Sequence, residues 1–546
     1  MMRDKYTIIV FGGVLILLAP VLALLALAIG GVTGLGETQT YGGESLTAIW
    51  SHLLATTLPR QLYTTLALML GVGLFTSFFG VGAAWFMTFY ALPKHRWFEW
   101  LMLLPLALPT YLSAYVYVEI TDTSGPFAPL WQALPFNGPD MNQLLGAVFC
   151  MGLVLTPYVY VSARASFMKQ SAQLIDAARL LGAGPLTCFW RIGLPLCRPA
   201  IFVGVALALM ECLNDIGAVE YLGVETLTVG VYDTWLARGQ LGTAIQLAMV
   251  LLCLMGFLIL VEKMNRAQDA QRNAMSRTSR AAFSFTPLTR IIALAICGVP
   301  VLFGFILPVL TLFILGGENL LNVQTYLPAM QNSFLLAGLA AIATLIIGLF
   351  LAIRQRVRPA KTSRHIFQAA ATGYAVPGTV LGLGVLIFFS MVDTSLTALN
   401  SFFNTQFFLT GSLLGLVFAY MVRFLSISFG SMEAGLAQIS PKIDMAASSL
   451  GNAGWQRVKQ IYIPLLRPSL LAAFILVFVD TLKELPATLI LRPFDFDTLA
   501  TEVYGKASLG LIEEAALPAL MIIASGILPV IFASKLMSAP TSGQNR

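Results

Sequence analysis

The chain has 546 residues, of which 58% are hydrophobic and 11% charged, and its mean hydropathy is +0.81 with a formal net charge of +6. This composition excludes an ordinary soluble domain, because soluble proteins carry about a quarter charged residues. It indicates a chain that is embedded in a membrane.

Apolar stretches long enough to cross a bilayer recur along the whole chain. A spanning helix needs about 20 such residues, whereas a membrane β-strand needs about ten that alternate in polarity. About twelve stretches qualify, near residues 7–30, 62–90, 98–120, 143–163, 199–221, 241–262, 291–316, 331–353, 367–390, 408–430, 468–490 and 513–535. The predicted fold is therefore an all-α polytopic membrane protein with about twelve transmembrane helices.

Lysine and arginine collect in alternate connections and at both termini. Cytoplasmic loops are the ones that accumulate positive charge, so we expect both termini to be cytoplasmic. This topology accounts for the net charge of +6. The sequence therefore predicts a lipid environment and no nucleic-acid partner.

One polar segment occurs twice. Residues 176–199 read DAARLLGAGPLTCFWRIGLPLCRP, and residues 445–468, 269 positions later, read MAASSLGNAGWQRVKQIYIPLLRP. Six spans per copy return the chain to the same side of the membrane, which predicts parallel repeats. We expect a first repeat at 1–262, a basic cytoplasmic linker at 263–290 and a second repeat at 291–546.

Each copy of the polar segment predicts two short helices that meet at an angle below the membrane. Gly182 and Gly451 are placed to end the first helix, and Pro195 and Pro464 to begin the next. A single copy is equally consistent with a hairpin that lies on the membrane surface. Two matched copies favour a docking element for another protein.

These segments resemble the EAA loop, E-A-A-x-x-x-G-x(9)-I-x-L-P, of membrane permeases in binding-protein-dependent ABC importers. The matching positions are Asp176, Ala177, Ala178, Gly182, Ile192 and Pro195 in the first copy, and Ala446, Ala447, Gly451, Ile461 and Pro464 in the second. The second copy departs from the pattern, because Met445 replaces the acid and Asp444 lies one place earlier.

The resemblance implies a type I ABC importer permease in a bacterial inner membrane. In that family the loop enters a groove on a separate ATPase, so two cytoplasmic ATP-binding subunits and a periplasmic solute-binding protein are the implied partners. ATP would be bound by the partner, and this chain would hold no cofactor. The fused twelve-span layout resembles the ferric-iron-type permeases, with thiamine or organophosphonate as the alternative substrate.

A second matched segment follows each loop. Residues 208–232, ALMECLNDIGAVEYLGVETLTVGVY, align with residues 478–504, FVDTLKELPATLILRPFDFDTLATEVY, and a shift of three then pairs Tyr232 with Tyr504. Each copy has two acids at positions i and i+4, which we expect to share one helical face. The candidate pathway residues are Glu211, Asn214 and Asp215 in the first copy and Asp480, Lys483 and Glu484 in the second.

Acids within a span point to a pathway or a partner, because each costs about 2.5–3.5 kcal/mol at mid-bilayer and like charges one turn apart repel. Four acids around an axis would suit a cationic solute. The alternative is an interfacial ring, or neutralisation of Asp480 and Glu484 by Lys483 and Arg492. We expect Arg423 to lie near one end of its span and to snorkel or pair locally.

The chain lacks the motifs of an enzyme. It contains no GxxxxGK[ST], HExxH or GxSxG, and its three histidines are scattered, so it is not expected to hydrolyse ATP itself; whether it holds a metal stays open. Energy must come from a partner or from an ion gradient. The alternative class is therefore a secondary transporter driven by protons or sodium through the four acids.

Overall fold

The computed structural model describes residues 2–30, 46–90, 99–122, 128–129, 143–169, 172–272, 283–357, 367, 373, 376–403, 408–450 and 454–538. Across these ranges the chain is helical and has no named strand, and one isolated bridge joins Tyr90 to Phe283. The predicted all-α class is confirmed.

The helices of the first half lie between residues 2 and 272. They are α1 (Met2–Gly30), α2 (Leu46–Ala55), α3 (Thr57–Phe89), α4 (Thr110–Thr121), α5 (Leu144–Lys169), α6 (Ala172–Leu180), α7 (Leu194–Asn214), α8 (Gly217–Tyr221), α9 (Leu227–Tyr232) and α10 (Leu241–Arg272).

The helices of the second half begin after the predicted linker. They are α11 (Pro287–Val301), α12 (Leu307–Gly316), α13 (Val323–Val357), α14 (Gly378–Phe403), α15 (Leu413–Gln438), α16 (Pro441–Ser449), α17 (Ile463–Leu482), α18 (Pro486–Leu491), α19 (Leu499–Ser508) and α20 (Ile512–Ser538).

Nine helices in the described residues are long and apolar enough to cross a membrane, and a bent pair raises the number to ten. That pair, Glu99–Ala107 and Thr110–Thr121, bends by 86° at Pro109, which has no backbone N–H to continue the helix. The apolar helices α1 and α20 coincide with the two remaining predicted stretches. The polytopic class is thereby confirmed.

The chain packs as two compact units that do not follow the order of the sequence. One unit holds Met1–Thr40 with Gln324–Glu502, and the other holds Tyr41–Val323 with Val503–Arg546. In the first unit, α1 packs on α14. In the second, α11 packs on α3, and α12 packs on α20.

The bounds of the helices repeat along the chain. α5 and α15, α6 and α16, and α8 and α18 each begin 269 residues apart. Between α6 and α7 the helix widens to a π-turn at Phe189–Gly193, and Val458–Tyr462 widens in the same way at the same spacing. Neither π-turn was predicted from the sequence.

Candidate functional site

The helix of the first predicted docking segment is α6, called the first docking helix below, and it ends as the sequence predicts. Gly182 has φ +84°, and its N–H donates to Arg179 O at 2.9 Å while the Ala183 N–H donates to Ala178 O at 3.0 Å. These two bonds form a Schellman motif, in which glycine supplies the left-handed residue after the helix.

The exposed side of this loop carries large apolar side chains next to charged ones. Leu180 and Leu181 are each 89% exposed, and Trp190 is 59% exposed. Ala177 is exposed and Ala178 half-buried, so the backbone of α6 is open to close approach. The Asp176 carboxylate is 60% exposed and lies 3.6 Å from Arg179 on the same helix. The surface therefore offers large apolar side chains around an exposed acid that is paired with Arg179 on the same helix.

An aromatic cluster around Trp85 packs against the first docking loop. Trp85 is 4% exposed and contacts the rings of Phe89, Phe167 and Phe189, with centroids 4.4–5.6 Å apart. A Cβ on Gly193 would lie 2.6 Å from the Trp85 ring. Glycine is therefore needed in the π-turn so that the loop can seat on this tryptophan.

The second docking helix, α16, also has an exposed apolar face. Met445 is 62% exposed, and Leu450 and Trp455 are 85% and 71% exposed. Ala446 is exposed, whereas Ala447 is buried at 4%. Gly451 lies outside the described residues. Of the later positions in the motif, Ile461 is half-buried and Pro464 exposed, while Ile192 and Pro195 of the first copy are both half-buried.

Asp444 has a different role from Asp176, because its carboxylate turns towards the helix bundle. Its Oδ2 accepts from Arg356 Nε at 2.9 Å, and its Oδ1 accepts from the Tyr462 hydroxyl at 2.9 Å. Arg356 also donates to Ile439 O at 2.7 Å and to Leu436 O. These bonds tie α16 to the ends of α13 and α15. Asp444 is thus an anchor for the second docking helix, and the exposed residue at the surface position is Met445.

The matched acids do not share a helical face, which corrects our expectation. α7 ends at Asn214 and α17 ends at Leu482, so Asp215 and Glu484 lie beyond the helices that carry Glu211 and Asp480. The reason is visible in the bonding. Each second acid accepts backbone N–H groups from the short helix that follows, and carboxylates are favoured at that position.

In the first copy, Asp215 is 8% exposed. Its Oδ1 accepts from Ala218 N at 2.9 Å, and its Oδ2 accepts from the Thr110 hydroxyl. No lysine or arginine in the described residues forms an ion pair with it. This carboxylate is therefore held by dipoles alone.

In the second copy, Glu484 is 5% exposed and accepts from Ala487 N at 3.1 Å and Thr488 N at 3.2 Å. The Tyr420 hydroxyl donates to it at 3.2 Å, and Arg423 Nη1 lies 3.9 Å away. Here a cation accompanies the carboxylate.

Arg423 was misplaced in our prediction. It is the eleventh residue of α15 and 4% exposed, so it does not snorkel from the end of a span. The predicted span stopped at residue 430, whereas the helix continues to Gln438. The helical pattern continues after Arg423, and this signal could have shown that the residue lies deep inside the span.

We expected Lys483 and Arg492 to neutralise Asp480 and Glu484, and one of these two cations does so. Lys483 Nζ lies 2.9 Å from Asp480 Oδ1, and both side chains are partly exposed. Arg492 instead pairs with Asp497, because α18 ends at Leu491 and turns the arginine away from Glu484. Of the other candidates, Glu211 and Asn214 are both half-buried on the last turn of α7.

Two further groups meet in the short segments and were not predicted as a site. The Tyr504 hydroxyl of α19 donates to the Glu220 carboxylate of α8, with distances of 3.0 and 2.9 Å to its two oxygens. Burial raises the pKa of Glu220, and this hydrogen bond opposes the rise. The pairing of Tyr232 with Tyr504 in the aligned repeats was the available signal.

Comparison with known proteins identifies the first half of this arrangement. Residues 77–273 match the family described as binding-protein-dependent transport system inner membrane component. The match contains the first docking helix and Asp215, while the second docking helix lies outside it.

Similar proteins extend the likeness to the whole chain. The Fe(3+)-transport system permease protein FbpB 2 of Haemophilus influenzae is 26% identical over 491 residues, covering 87% of this chain and 89% of that protein. The ferric transport system permease protein FbpB of Actinobacillus pleuropneumoniae is 23% identical, covering 78% and 63%. A putative 2-aminoethylphosphonate permease, PhnV of Salmonella typhimurium, is 26% identical over 37% of this chain and 71% of its own.

The family is one of transport permeases and not of enzymes. Its description names dependence on a binding protein and a place in the inner membrane, and ABC systems of this kind add an ATPase. The nine or ten apolar helices among the described residues agree with a chain that crosses the membrane several times. Residues 77–273 therefore match the inner membrane component family of binding-protein-dependent transport systems, and the chain is similar over most of its length to the permease of a Fe(3+)-transport system.

Proposed function

We propose that this permease moves ferric iron from the periplasm to the cytoplasm, driven by a separate ATPase. The observation that supports this substrate is the likeness to FbpB 2, a Fe(3+)-transport permease, over 87% of the chain. That likeness also covers 89% of FbpB 2 itself, so it is not confined to one part of either protein.

Two copies of the ATPase would engage the chain, one at α6 and one at α16. The support is that each helix presents exposed apolar residues beside small residues, at positions 269 residues apart. Exposed apolar patches of this kind are typical of interaction surfaces. Asp176 would add a charged contact at the first site, whereas Met445 offers a thioether at the second.

The repeats would be 1–262 and 291–546, joined by a cytoplasmic linker at 263–290, with both termini in the cytoplasm. The distribution of basic residues supports this orientation. The repeated bounds of the helices support the division. Phe283 also packs under Arg179, 5.4 Å from its guanidinium carbon, which would hold the end of the linker against the first docking helix.

Glu211, Asn214, Asp215, Asp480, Lys483 and Glu484 remain our candidates for the pathway. The geometry favours Asp215, whose partners are Ala218 N and the Thr110 hydroxyl, because Asp480 and Glu484 have a lysine and an arginine beside them. An acid without a cationic neighbour attracts a cation more strongly than one that is already paired.

The test is to reconstitute the permease with its ATPase and a solute-binding protein in vesicles. Ferric iron should accumulate and stimulate ATP hydrolysis, whereas 2-aminoethylphosphonate and thiamine should do neither. The likeness to PhnV makes a phosphonate the second candidate, and phosphonate uptake without iron uptake would refute the ferric assignment.

A further inference from the structure

The aligned tyrosines of the two repeats meet in the folded chain. Tyr232 ends α9 and Tyr504 lies in α19, and both belong to the same compact unit. Their side chains form a hydrogen bond, and Tyr504 also donates to both oxygens of Glu220 at 2.9–3.0 Å. Three oxygen groups from three short helices therefore converge.

A third hydroxyl, that of Tyr115, lies near this cluster. Tyr115 is 2% exposed and packs edge-on against Tyr221 at 4.4 Å between ring centroids. Its hydroxyl oxygen is buried without a hydrogen-bond partner among the described residues. Glu220 and Tyr504 lie close enough to act on it electrostatically. A buried hydroxyl that the protein leaves unsatisfied is unusual and points to a missing partner.

The charges around this cluster suit a cation. The groups that act most strongly on Glu220 and Tyr504 are Asp233, Tyr232 and each other, and no lysine or arginine of the described chain is among them. This differs from Asp480 and Glu484, which each have a cation nearby. Arg238 acts on Asp233, whereas Glu220 and Tyr504 form no ion pair with a lysine or arginine among the described residues.

We propose that Glu220, Tyr232 and Tyr504 form a transit site for the trivalent cation, with Tyr115 as a further oxygen donor. This inference rests on the proposed function, since it assumes a ferric cargo. Hard cations take oxygen ligands, and iron accepts tyrosine phenolate.

The charge balance supports a trivalent ion. One carboxylate and two phenolates carry three negative charges, so the loaded site is neutral and the cost of placing an ion away from bulk water is lowered. Each phenol releases its proton to water as it coordinates. Without the ion, the Tyr504 hydroxyl donates to both oxygens of the Glu220 carboxylate.

The test uses the purified permease with its ATPase subunits in nanodiscs and ferric nitrilotriacetate as the probe. Coordination by phenolate gives a visible charge-transfer absorption that carboxylates alone do not give. We expect this band in the wild type, a weaker band in Y232F and Y504F, and none in the double variant. In E220Q the affinity should fall at least about tenfold, on the scale of losing a contact that tunes a metal site.

The matched control is Y63F, because Tyr63 lies on α3 and is 73% exposed; this variant should keep the full band. Elution volume and basal ATP hydrolysis check that each variant folds, and the single phenylalanine variants serve if the double variant does not. A wild type without the band, or a double variant with the full band, would overturn the site. Iron uptake separates the two proposals: if the wild type takes up no iron, the ferric function is wrong. If wild type and double variant take it up equally, only this site is wrong.

Discussion

Removal of the Arg423 side chain should strongly destabilise the permease. Both members of its pair with Glu484 are buried, with side chains 5% and 3% exposed. Breaking a buried pair leaves a charge without compensation, which costs about 3–5 kcal/mol. The closest approach is 3.9 Å, and Glu484 keeps two backbone N–H groups. We therefore expect the lower end for R423M, about 3 kcal/mol, or roughly two orders of magnitude in the unfolding equilibrium.

The assay is a double-mutant cycle measured by mixed-detergent unfolding of the purified permease. E484Q keeps an oxygen for the backbone N–H groups and removes the charge, so the double variant should be less destabilised than the sum by about 1–3 kcal/mol. The matched control is R60M, because Arg60 pairs with Glu225 at 3.1 Å on an exposed surface. That pair should be worth about 0–1 kcal/mol. If R423M costs no more than R60M, the reasoning about burial is wrong.

Three further predictions concern the docking helices and the first acidic segment. G182V should lower the free energy of unfolding by about 1–3 kcal/mol, because a valine is strained at φ +84°. The same variant should hydrolyse more ATP for each iron ion that it moves. The neighbouring G184V at φ −72° should change neither, and equal effects would contradict the turn assignment. In R356M, the free energy that protects the amides of 441–449 against hydrogen exchange should fall by about 1.5–3 kcal/mol, which is the value of hydrogen bonds to charged groups. Unchanged protection would refute the anchoring role of Asp444 and Arg356. D215N keeps the Ala218 bond and should alter stability by less than about 1 kcal/mol, yet lower iron uptake in vesicles, and normal uptake would remove Asp215 from the pathway.

The ends of the docking helices were predictable because they depend on local chemistry, while their docking role stays a prediction. Glycine at the end of α6 and proline at the start of α7 act within a few residues of themselves. The direction of Asp444 was not predictable, because it depends on Arg356, which lies 88 residues earlier. A sequence pattern shows an acid one place early but not which side of the helix it faces.

The acidic segments were predictable in composition and not in geometry. The pairs at 211/215 and 480/484 suggested continuous helices, whereas the chain breaks and the second acid accepts backbone N–H groups from the next short helix. A cap of this kind and an acid on a continuous helical face have the same residue spacing. Only the positions of Ala218 and Ala487 distinguish them. The meeting of Tyr232 and Tyr504 likewise needs the fold, since 272 residues separate them.

The paired π-turns have a consequence for how this chain can change over generations. Each places one additional residue in a helix that leads from a docking loop to an acidic segment. Losing that residue would rotate everything beyond it by roughly 100°, since an α-helix has 3.6 residues per turn. Deletion of a single codon would thus turn a different face of the span towards its neighbours without altering its hydrophobicity. The two repeats would then differ in the orientation of this helix unless the matching residue were deleted from each.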